Sequence, residues 1–179
     1  MTLTKKIGLG IIGGLLVLVL YPAINMGLFY GPWPWEHPKE QNRVQHPEGF
    51  SIIAPRGWKH RICLQTDTLF PQDMIGLIPN TKARLHPLVH ALKFRQQPNI
   101  EEMKKLPGYS AGRFSNGKFE GSDAYIYEGN AGKFWEWKAI FARGSNWYEV
   151  AIMVPSDNEA EDHVSGIWWP YLNTFHVDK

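Results

Sequence analysis

The sequence predicts an α+β protein in which an N-terminal transmembrane helix precedes a mainly antiparallel sheet packed with helices. Three observations predict this fold class. Residues 7–35 carry no charged side chain, which is typical of a segment that crosses a membrane. The second half of the chain alternates β-branched and aromatic runs with turn residues such as those at 144–146, which indicates antiparallel strands. Residues that start helices occur at Asn99 and at Pro155-Ser156.

The first predicted element is a membrane helix over residues 7–30. This apolar stretch is long enough to cross a hydrocarbon core of about 30 Å with some tilt. Lys5 and Lys6 precede it, and positive residues mark the cytoplasmic end of such a helix. Aromatic residues at its other end predict contact with the outer interface of the bilayer. Together with the two lysines, the predicted membrane-interface residues are Phe29, Tyr30, Trp33 and Trp35.

This arrangement predicts a single-pass protein of the inner cell membrane, with a cytoplasmic N-terminus and a C-terminal domain in the periplasm. A cleaved signal peptide is the alternative, since the two lysines precede a short apolar core at 7–20. Cleavage after Ala23 would place bulky Tyr21 where a small residue is required, so a retained anchor is favoured.

The predicted domains are 1–30, the cytoplasmic tip and transmembrane helix; 31–47, a proline-rich stalk; and 48–179, the exported domain.

The charge balance bounds the partners of the exported domain. The whole chain carries a formal charge of +2, and Lys5 and Lys6 account for that surplus. The exported part is therefore neutral and shows no basic run, so we expect no nucleic-acid partner. Cys63 is the single cysteine of the sequence, so packing rather than a disulfide must hold the domain. We predict no cofactor.

The first half of the exported domain predicts strands separated by turns and one short helix. A strand at 50–54 ends at the turn Pro55-Arg56-Gly57, and a second strand follows at 58–64. Prolines interrupt residues 65–87, which give no clear pattern. A strand is predicted at 88–95. Asn99 then caps a charged helix over 100–106.

The second half predicts an antiparallel meander followed by a helix. The dipeptide Asn116-Gly117 is typical of a hairpin turn. We then expect strands at 124–128, 133–143 and 147–154, the last two joined by the turn at 144–146. A helix is expected from Pro155 to about Trp169, with acidic residues in its first turns, and a short closing strand at 175–177.

This order of elements resembles the PsbP-like α/β sandwich superfamily, which includes extrinsic photosystem II subunits and small exported bacterial proteins. The similarity covers residues 46–177. The residues that carry it are Glu48-Gly49-Phe50-Ser51-Ile52, Pro55-Arg56-Gly57-Trp58, Tyr125-Ile126-Tyr127-Glu128, Trp147-Tyr148-Glu149-Val150 and the tail at 172–175. The resemblance implies a fold and an accessory or binding role. It carries over no catalytic residue, because the family shares no catalytic site.

Two patterns suggest chemistry. The run Gly108-Tyr109-Ser110-Ala111-Gly112 fits the nucleophile elbow of serine hydrolases, but that motif requires a buried strand before the serine and a helix after it. His86 and His90 have the spacing of two metal ligands, yet no third ligand is near in sequence. We therefore predict no catalytic residue and no metal, with Ser110 and this histidine pair as the alternatives.

Aromatic residues are the remaining candidates for function. Tryptophan and tyrosine are favoured at protein interfaces, although core packing explains many of them. The predicted partner-binding set is Trp135, Trp137, Trp147, Trp168 and Trp169.

The functional prediction is a membrane-anchored, non-catalytic accessory or binding subunit. Its expected partners are the lipid bilayer, through residues 7–30, and a larger membrane protein complex. The alternatives are a membrane-tethered serine hydrolase using Ser110 and a module that binds a small apolar ligand or a lipid.

Overall fold

Strands dominate the structure. The computed structural model describes residues 36–65, 72–81, 85–107, 109–156 and 167–178. The strands within these ranges are β1 Arg43–His46, β2 Phe50–Ile53, β3 Lys59–Gln65, β4 Gln72–Ile78, β5 Leu88–Phe94, β6 Gly112–Phe119, β7 Ser122–Ala131, β8 Phe134–Arg143, β9 Asn146–Pro155 and β10 His176–Val177. They form an antiparallel three-stranded sheet in the order β1-β2-β10 and an antiparallel seven-stranded sheet in the order β3-β4-β5-β9-β8-β7-β6.

The helices in the described ranges are short. A 3₁₀ turn covers Glu40–Asn42, α1 covers Ile100–Met103 and α2 covers Trp169–Leu172. Asn99 caps α1 as predicted, because its side chain accepts hydrogen bonds from the backbone N–H groups of Glu101 and Glu102. The helix ends at Met103, earlier than the predicted 106.

The main core lies between the two sheets. Phe50 and Ile52 of β2 are buried against the inner face of the large sheet, where Phe141 and Val150 alternate with residues that point away. Residues that flank and form α2, among them Phe175 and Leu172, complete this core. A smaller cluster on the other face of the large sheet joins Leu92, Phe94 and Ile140 to Met103 of α1.

The predicted fold class is therefore wrong in one respect. The prediction packed an antiparallel sheet with helices, whereas the two sheets pack mainly on each other. The physical reason lies in β8 and β9, whose two faces both carry apolar side chains and so require cover on each side. The second sheet covers the inner face. The resulting architecture is a mostly β sandwich.

The predicted single-pass anchor is also contradicted. Within the described residues, no helix has both the length and the apolar character needed to cross a membrane. This finding corrects the transmembrane part of the fold class and the inner-membrane location. The predicted helix at 7–30 and its interface residues (Lys5, Lys6, Phe29, Tyr30, Trp33 and Trp35) lie outside the described residues. The range 31–47, predicted as a stalk, contains β1.

The hairpin turn predicted at Asn116-Gly117 is wrong. Both residues lie inside β6, and the chain turns at Glu120 and Gly121, which have φ angles of 48° and 76°. The later turn lets buried Phe119 reach the main core, where it lies against Trp137. Tertiary packing thus outweighs the local turn signal.

Two further differences concern the regions around β4 and α2. Strand β4 lies in the range 65–87 that gave no pattern, and it alternates buried and half-buried residues. The predicted helix from Pro155 to Trp169 falls mostly on 157–166, outside the described residues. Pro170, expected beyond the helix, lies in the first turn of α2, where a missing amide donor costs nothing.

We expect Trp137→Ala to lower the free energy of unfolding by about 3–5 kcal/mol, the usual cost of truncating a large core side chain. Trp137 is 6% exposed and packs edge-on against Trp169, with ring centroids 4.9 Å apart. Urea denaturation followed by circular dichroism measures the change. Leu85→Ala is the control, because Leu85 is 40% exposed and its loss should cost under about 0.5 kcal/mol. Equal effects of the two substitutions would contradict the placement of Trp137 in the core.

Candidate functional site

The candidate site lies on the outer face of the large sheet, which is the face turned away from β1, β2 and β10. Because side chains alternate along a strand, the register places Glu136, Lys138 and Ile140 of β8 on this face, beside Glu149 of β9. The opposite residues of β8, such as Phe141, belong to the main core. The outer face is therefore the surface that the second sheet leaves available.

A charged cluster is buried at the centre of this face. Glu136, Lys138 and Glu149 are 4%, 7% and 1% exposed. His90 Nε2 lies 2.8 Å from Glu149 Oε1. Lys138 Nζ lies 2.9 Å from Glu136 Oε2. Buried charges are costly unless they are paired, and here each carboxylate has a nearby cationic or hydrogen-bonding partner.

Two tyrosines cover the ammonium group of the cluster. Lys138 Nζ lies 4.1 Å from the ring centroid of Tyr109 and 5.2 Å from that of Tyr127. A desolvated cation over aromatic faces contributes about 2 kcal/mol. The Tyr109 hydroxyl donates a hydrogen bond of 3.0 Å to Glu149 Oε2. The carboxylate of Glu149 thus ties the segment that follows α1 to β9.

Two glycines make room for Tyr127. A Cβ atom at Gly112 would lie 2.4 Å from the Tyr127 ring, and one at Gly129 would lie 2.5 Å from the Tyr127 hydroxyl. Gly112 and Gly129 face each other across β6 and β7, so the ring lies over a stretch of sheet without side chains. The close approach buries the ring completely.

The acid–base properties follow from this burial. Burial is the largest single influence on Glu149 and raises its pKa, but the His90 hydrogen bond, the Lys138 charge and the Tyr109 hydrogen bond together hold the pKa below the ordinary 4.5. Glu149 is therefore ionised and can only accept hydrogen bonds, so His90 carries a proton on Nε2. Burial, followed by the charge of Glu149, raises the pKa of Tyr109. Burial and then Glu136 raise the pKa of Tyr127.

Two polar atoms of the cluster remain without hydrogen bonds among the described residues. They are the Tyr127 hydroxyl and Glu136 Oε2, whose contact with Lys138 has a short distance but not hydrogen-bond angles. Both oxygens of Glu149 are occupied, and the side chain is inaccessible. A buried carboxylate in this state cannot reach a substrate, so the cluster serves to hold the sheet and Tyr109 together.

An aromatic groove opens beside the cluster. It has a volume of about 820 Å³. One wall is the segment that leads into and through α1, and the floor comes from β6, β7 and β9. Tyr125, Trp147 and Phe114 form the floor. The rings of Tyr125 and Trp147 are stacked, with their centroids 6.4 Å apart. Phe114 also packs on Tyr109 and Tyr127, so the buried cluster supports the groove.

The groove carries unused hydrogen-bonding groups. Within the part of the chain that the structure describes, no hydrogen bond engages the side chains of Gln97, Asn116, Tyr125 or Trp147. Tyr125 is 36% exposed. Among the described residues, Ile62 and Leu85 are the other large apolar side chains that are exposed to this degree. Rings with free polar groups at the edge of a groove are typical of recognition surfaces.

The structure distributes the five predicted partner-binding tryptophans over two regions. Trp147 lies in the groove. Trp137 and Trp168 are buried, and Trp135 and Trp169 are partly buried against the main core. The binding role of this set stays a prediction, and the structure brings one of its members to the candidate site.

The residues that suggested chemistry each have a different contact in the structure. Ser110 is exposed in the turn before β6, and its hydroxyl lies 3.4 Å from the carbonyl oxygen of Pro107. His86 Nδ1 lies beside the carbonyl of Pro87, and His90 contacts Glu149. Among the described residues, no three histidine, cysteine, aspartate or glutamate side chains are grouped to hold a metal ion.

Sequence reasoning did not identify the charged cluster or Tyr125. The usable signal was the pair Glu136 and Lys138, which interrupts the aromatic run of β8 on the face opposite Trp135 and Trp137. Charged residues inside a strand that is covered on both faces indicate a buried ion pair.

The fold is similar to a solved structure of known family. The solution structure of cyanobacterial PsbP (CyanoP) from Synechocystis sp. PCC 6803 matches with a TM-score of 0.52 and 12% sequence identity, over 75% of this chain and 91% of that chain. This likeness confirms the predicted resemblance to the PsbP-like fold. At this identity it shows the fold alone. The sequence matches no protein-family model and no curated protein.

We expect Gly129→Ala to destabilise the protein by about 1–3 kcal/mol, the range for overpacking. The new methyl group would collide with the Tyr127 hydroxyl and with Cα of Gly112, 2.6 Å away. Gly76→Ala is the matched control in the same sheet, since its nearest neighbour would lie at 3.9 Å. Thermal and urea denaturation compare the two variants. A Gly129→Ala protein as stable as the Gly76→Ala protein would contradict the packing of Tyr127 over the glycines.

We expect the stability contributed by Glu149 to depend on pH. A pKa lowered by folding means that the ionised form is favoured in the folded state. The contribution is therefore complete above the ordinary value of 4.5 and is lost as the pH falls through the lower folded pKa. The difference in unfolding free energy between the wild type and Glu149→Gln should thus shrink in acid. Urea denaturation from about pH 7 to about pH 3 measures it.

The exposed residue Glu102 provides the control for this measurement. Glu102→Gln should give a difference from the wild type that stays near zero across the same pH range, because an exposed carboxylate contributes little. A constant difference for Glu149→Gln would show that its ionisation is not coupled to folding.

Proposed function

We propose that this chain is a non-catalytic accessory domain that binds a protein partner through the aromatic groove. The observation that carries the proposal is the pair Tyr125 and Trp147, which lies on the groove floor with its polar groups unused. Aromatic side chains that are rigid, partly exposed and able to donate hydrogen bonds are the usual centres of binding energy at protein interfaces. The PsbP-like fold is compatible with this role.

The mixed polarity of the groove lining favours a polypeptide over a small apolar ligand. The floor is aromatic, but the wall carries Gln97, Asn99 and the ion pair of Glu101 with Lys104. A polypeptide offers both apolar side chains for the floor and amide groups for the polar wall. A lipid or small apolar ligand would leave the Gln97 side chain without a partner, and sites for such ligands enclose most of the ligand.

The buried cluster supports binding rather than turnover. It fixes Tyr109, which stacks on Phe114 with ring centroids 5.8 Å apart, and Phe114 lines the groove. A groove held by a charge network changes shape little when it is occupied, which lowers the entropic cost of association. A surface that is held ready in this way supports the proposal that the domain takes part in a larger complex.

The test begins by identifying the groove's occupant. A photo-crosslinking amino acid at Asn116, inside the groove, is compared with the same amino acid at Lys133, which is exposed at the β7–β8 turn. Cross-linking in the native cells followed by mass spectrometry should yield a discrete polypeptide from position 116 that position 133 does not give. A small ligand at position 116 and no polypeptide would overturn the protein-partner proposal.

With the purified partner, we expect Tyr125→Ala and Trp147→Ala each to weaken binding by about 2 kcal/mol or more, the range of interface hot spots. Isothermal titration calorimetry measures the dissociation constants. Leu85→Ala is the control, because Leu85 is exposed and does not line the groove. Thermal melts must show that the groove variants remain folded, since Tyr125 and Trp147 are only partly buried. Unchanged affinity in both variants would place the interface elsewhere.

A further inference from the structure

Strand β3 forms an open edge of the large sheet. In the described sheet it pairs on one side with β4, from Lys59 opposite Ile78 to Gln65 opposite Gln72. No backbone hydrogen bond from another described segment reaches its outer side. The alternate N–H and C=O groups of a strand in this position are directed outward and can pair with a further strand.

Three consecutive cationic or titratable side chains lie on this edge. Lys59, His60 and Arg61 are all exposed. Within the part of the chain that the structure describes, none of them has an ion pair or a side-chain hydrogen bond. Ile62, the next residue, is 42% exposed. We call these four residues, 59–62, the basic edge.

Among the described residues, the acidic side chains near this end of the sheet already have partners. Asp73 lies on β4 and forms a bidentate pair with Arg95, with both distances 3.1 Å. Glu48 contacts Lys93. Glu36 accepts a hydrogen bond from the backbone N–H of Arg56, in the turn before β3, so Arg56 is not counted in the basic edge. Within the described ranges, no carboxylate forms an ion pair with the cations at 59–61, so their charge can attract an external anion.

We infer that the basic edge is a docking site for an acidic, extended segment of another protein, which adds to the sheet as a strand beside β3. Backbone hydrogen bonds supply the pairing, as in other cases of strand addition. Because side chains alternate, Lys59 and Arg61 flank the added strand on one face and His60 and Ile62 on the other. Carboxylates of the incoming segment pair with the cations, and an apolar side chain covers Ile62.

Charge argues against the other occupants of this edge. A second copy of the chain would place the cations of both β3 strands side by side, and like charges facing each other across strands destabilise pairing. Nucleic acid uses the phosphate charge but offers neither a backbone ladder for β3 nor an apolar group for Ile62. Lysine on an edge strand also prevents aggregation. That role alone does not explain why the apolar side chain of Ile62 is exposed on the same edge.

The direct test uses the full chain and a short labelled peptide that alternates glutamate and valine. We expect it to bind with chemical-shift changes centred on the β3 amides and with an affinity that falls as salt rises. The same peptide with alternate backbone nitrogens methylated should bind at least about tenfold more weakly, because it lacks the donors for strand pairing. Binding that tolerates methylation, or shifts outside β3, would overturn the inference.

Charge reversal supplies the second arm. The double variant Lys59→Glu with Arg61→Glu should bind the acidic peptide at least about tenfold more weakly, and it should bind a peptide that alternates lysine and valine more tightly than the wild type does. Lys118→Glu, on the edge strand β6 at the other side of the sheet, reverses one charge away from β3 and should leave binding unaltered. If the double variant does not fold, Lys59→Gln with Arg61→Gln takes its place, with weakened acidic binding expected. A short DNA duplex that binds the wild type more tightly than the acidic peptide would overturn the inference in favour of nucleic acid.

This inference is independent of the groove. The basic edge lies on the first strand of the order, whereas the groove floor covers the region from β9, the fourth strand, to β6, the seventh. Tyr125→Ala and Trp147→Ala should therefore leave the acidic peptide bound with unchanged affinity. Loss of peptide binding in those variants would mean that the peptide occupies the groove instead of β3.

Discussion

The burial of Lys138 beneath two tyrosine rings is the contact on which the outer face of the large sheet depends. The small sheet covers the inner face, so other parts of the chain must cover the outer face. Lys138 brings a charge into this region, and the cost of its desolvation is offset by Glu136 at 2.9 Å and by the rings of Tyr109 and Tyr127. Covering the charge brings Tyr109 onto the sheet, and Tyr109 in turn holds the segment between α1 and β6 against it. The aromatic groove exists because that segment is held.

Much of the fold was accessible from the sequence because its signals are local. The strands at 134–143 and 146–155 follow from apolar and aromatic runs around the turn at Gly144, and Asn99 marks the start of α1 through its own side chain. The turn predicted at Asn116-Gly117 is wrong because a local turn preference competes with a distant contact. Burial of Phe119 against Trp137 stabilises the fold more than a turn at this dipeptide would. Strand β4 was missed because Gly76 and flanking prolines weaken its pattern, and its pairing with β3 and β5 supplies what the pattern lacks.

The candidate site was accessible only in part. Its charged members come from three strands, β5, β8 and β9, and its cover comes from the segment after α1 and from β7. No spacing in the sequence links His90 to Glu149, 59 residues apart. Trp147 was among the predicted binding residues because tryptophan is favoured at interfaces. The sequence could not separate it from Trp137, since both lie in β-rich runs and differ only in the face that the register gives them. The register depends on pairing across the sheet and is therefore a tertiary property.

The two proposed surfaces impose a geometry on any assembly that contains this domain. Strand β3 is the first of seven strands and the groove floor begins at β9, the fourth, so three spacings of about 4.8 Å separate the two surfaces by about 14 Å at their nearest strands. An extended peptide that pairs with β3 runs along the strand direction, so it does not cross the sheet to the groove floor. The intervening strands form one hydrogen-bonded ladder with a core on its inner face, so occupation of one edge does not require movement at the other. With both proposed sites occupied, the domain would join two polypeptides at a fixed separation, with electrostatic attraction selecting the segment at β3 and aromatic burial selecting the segment at the groove.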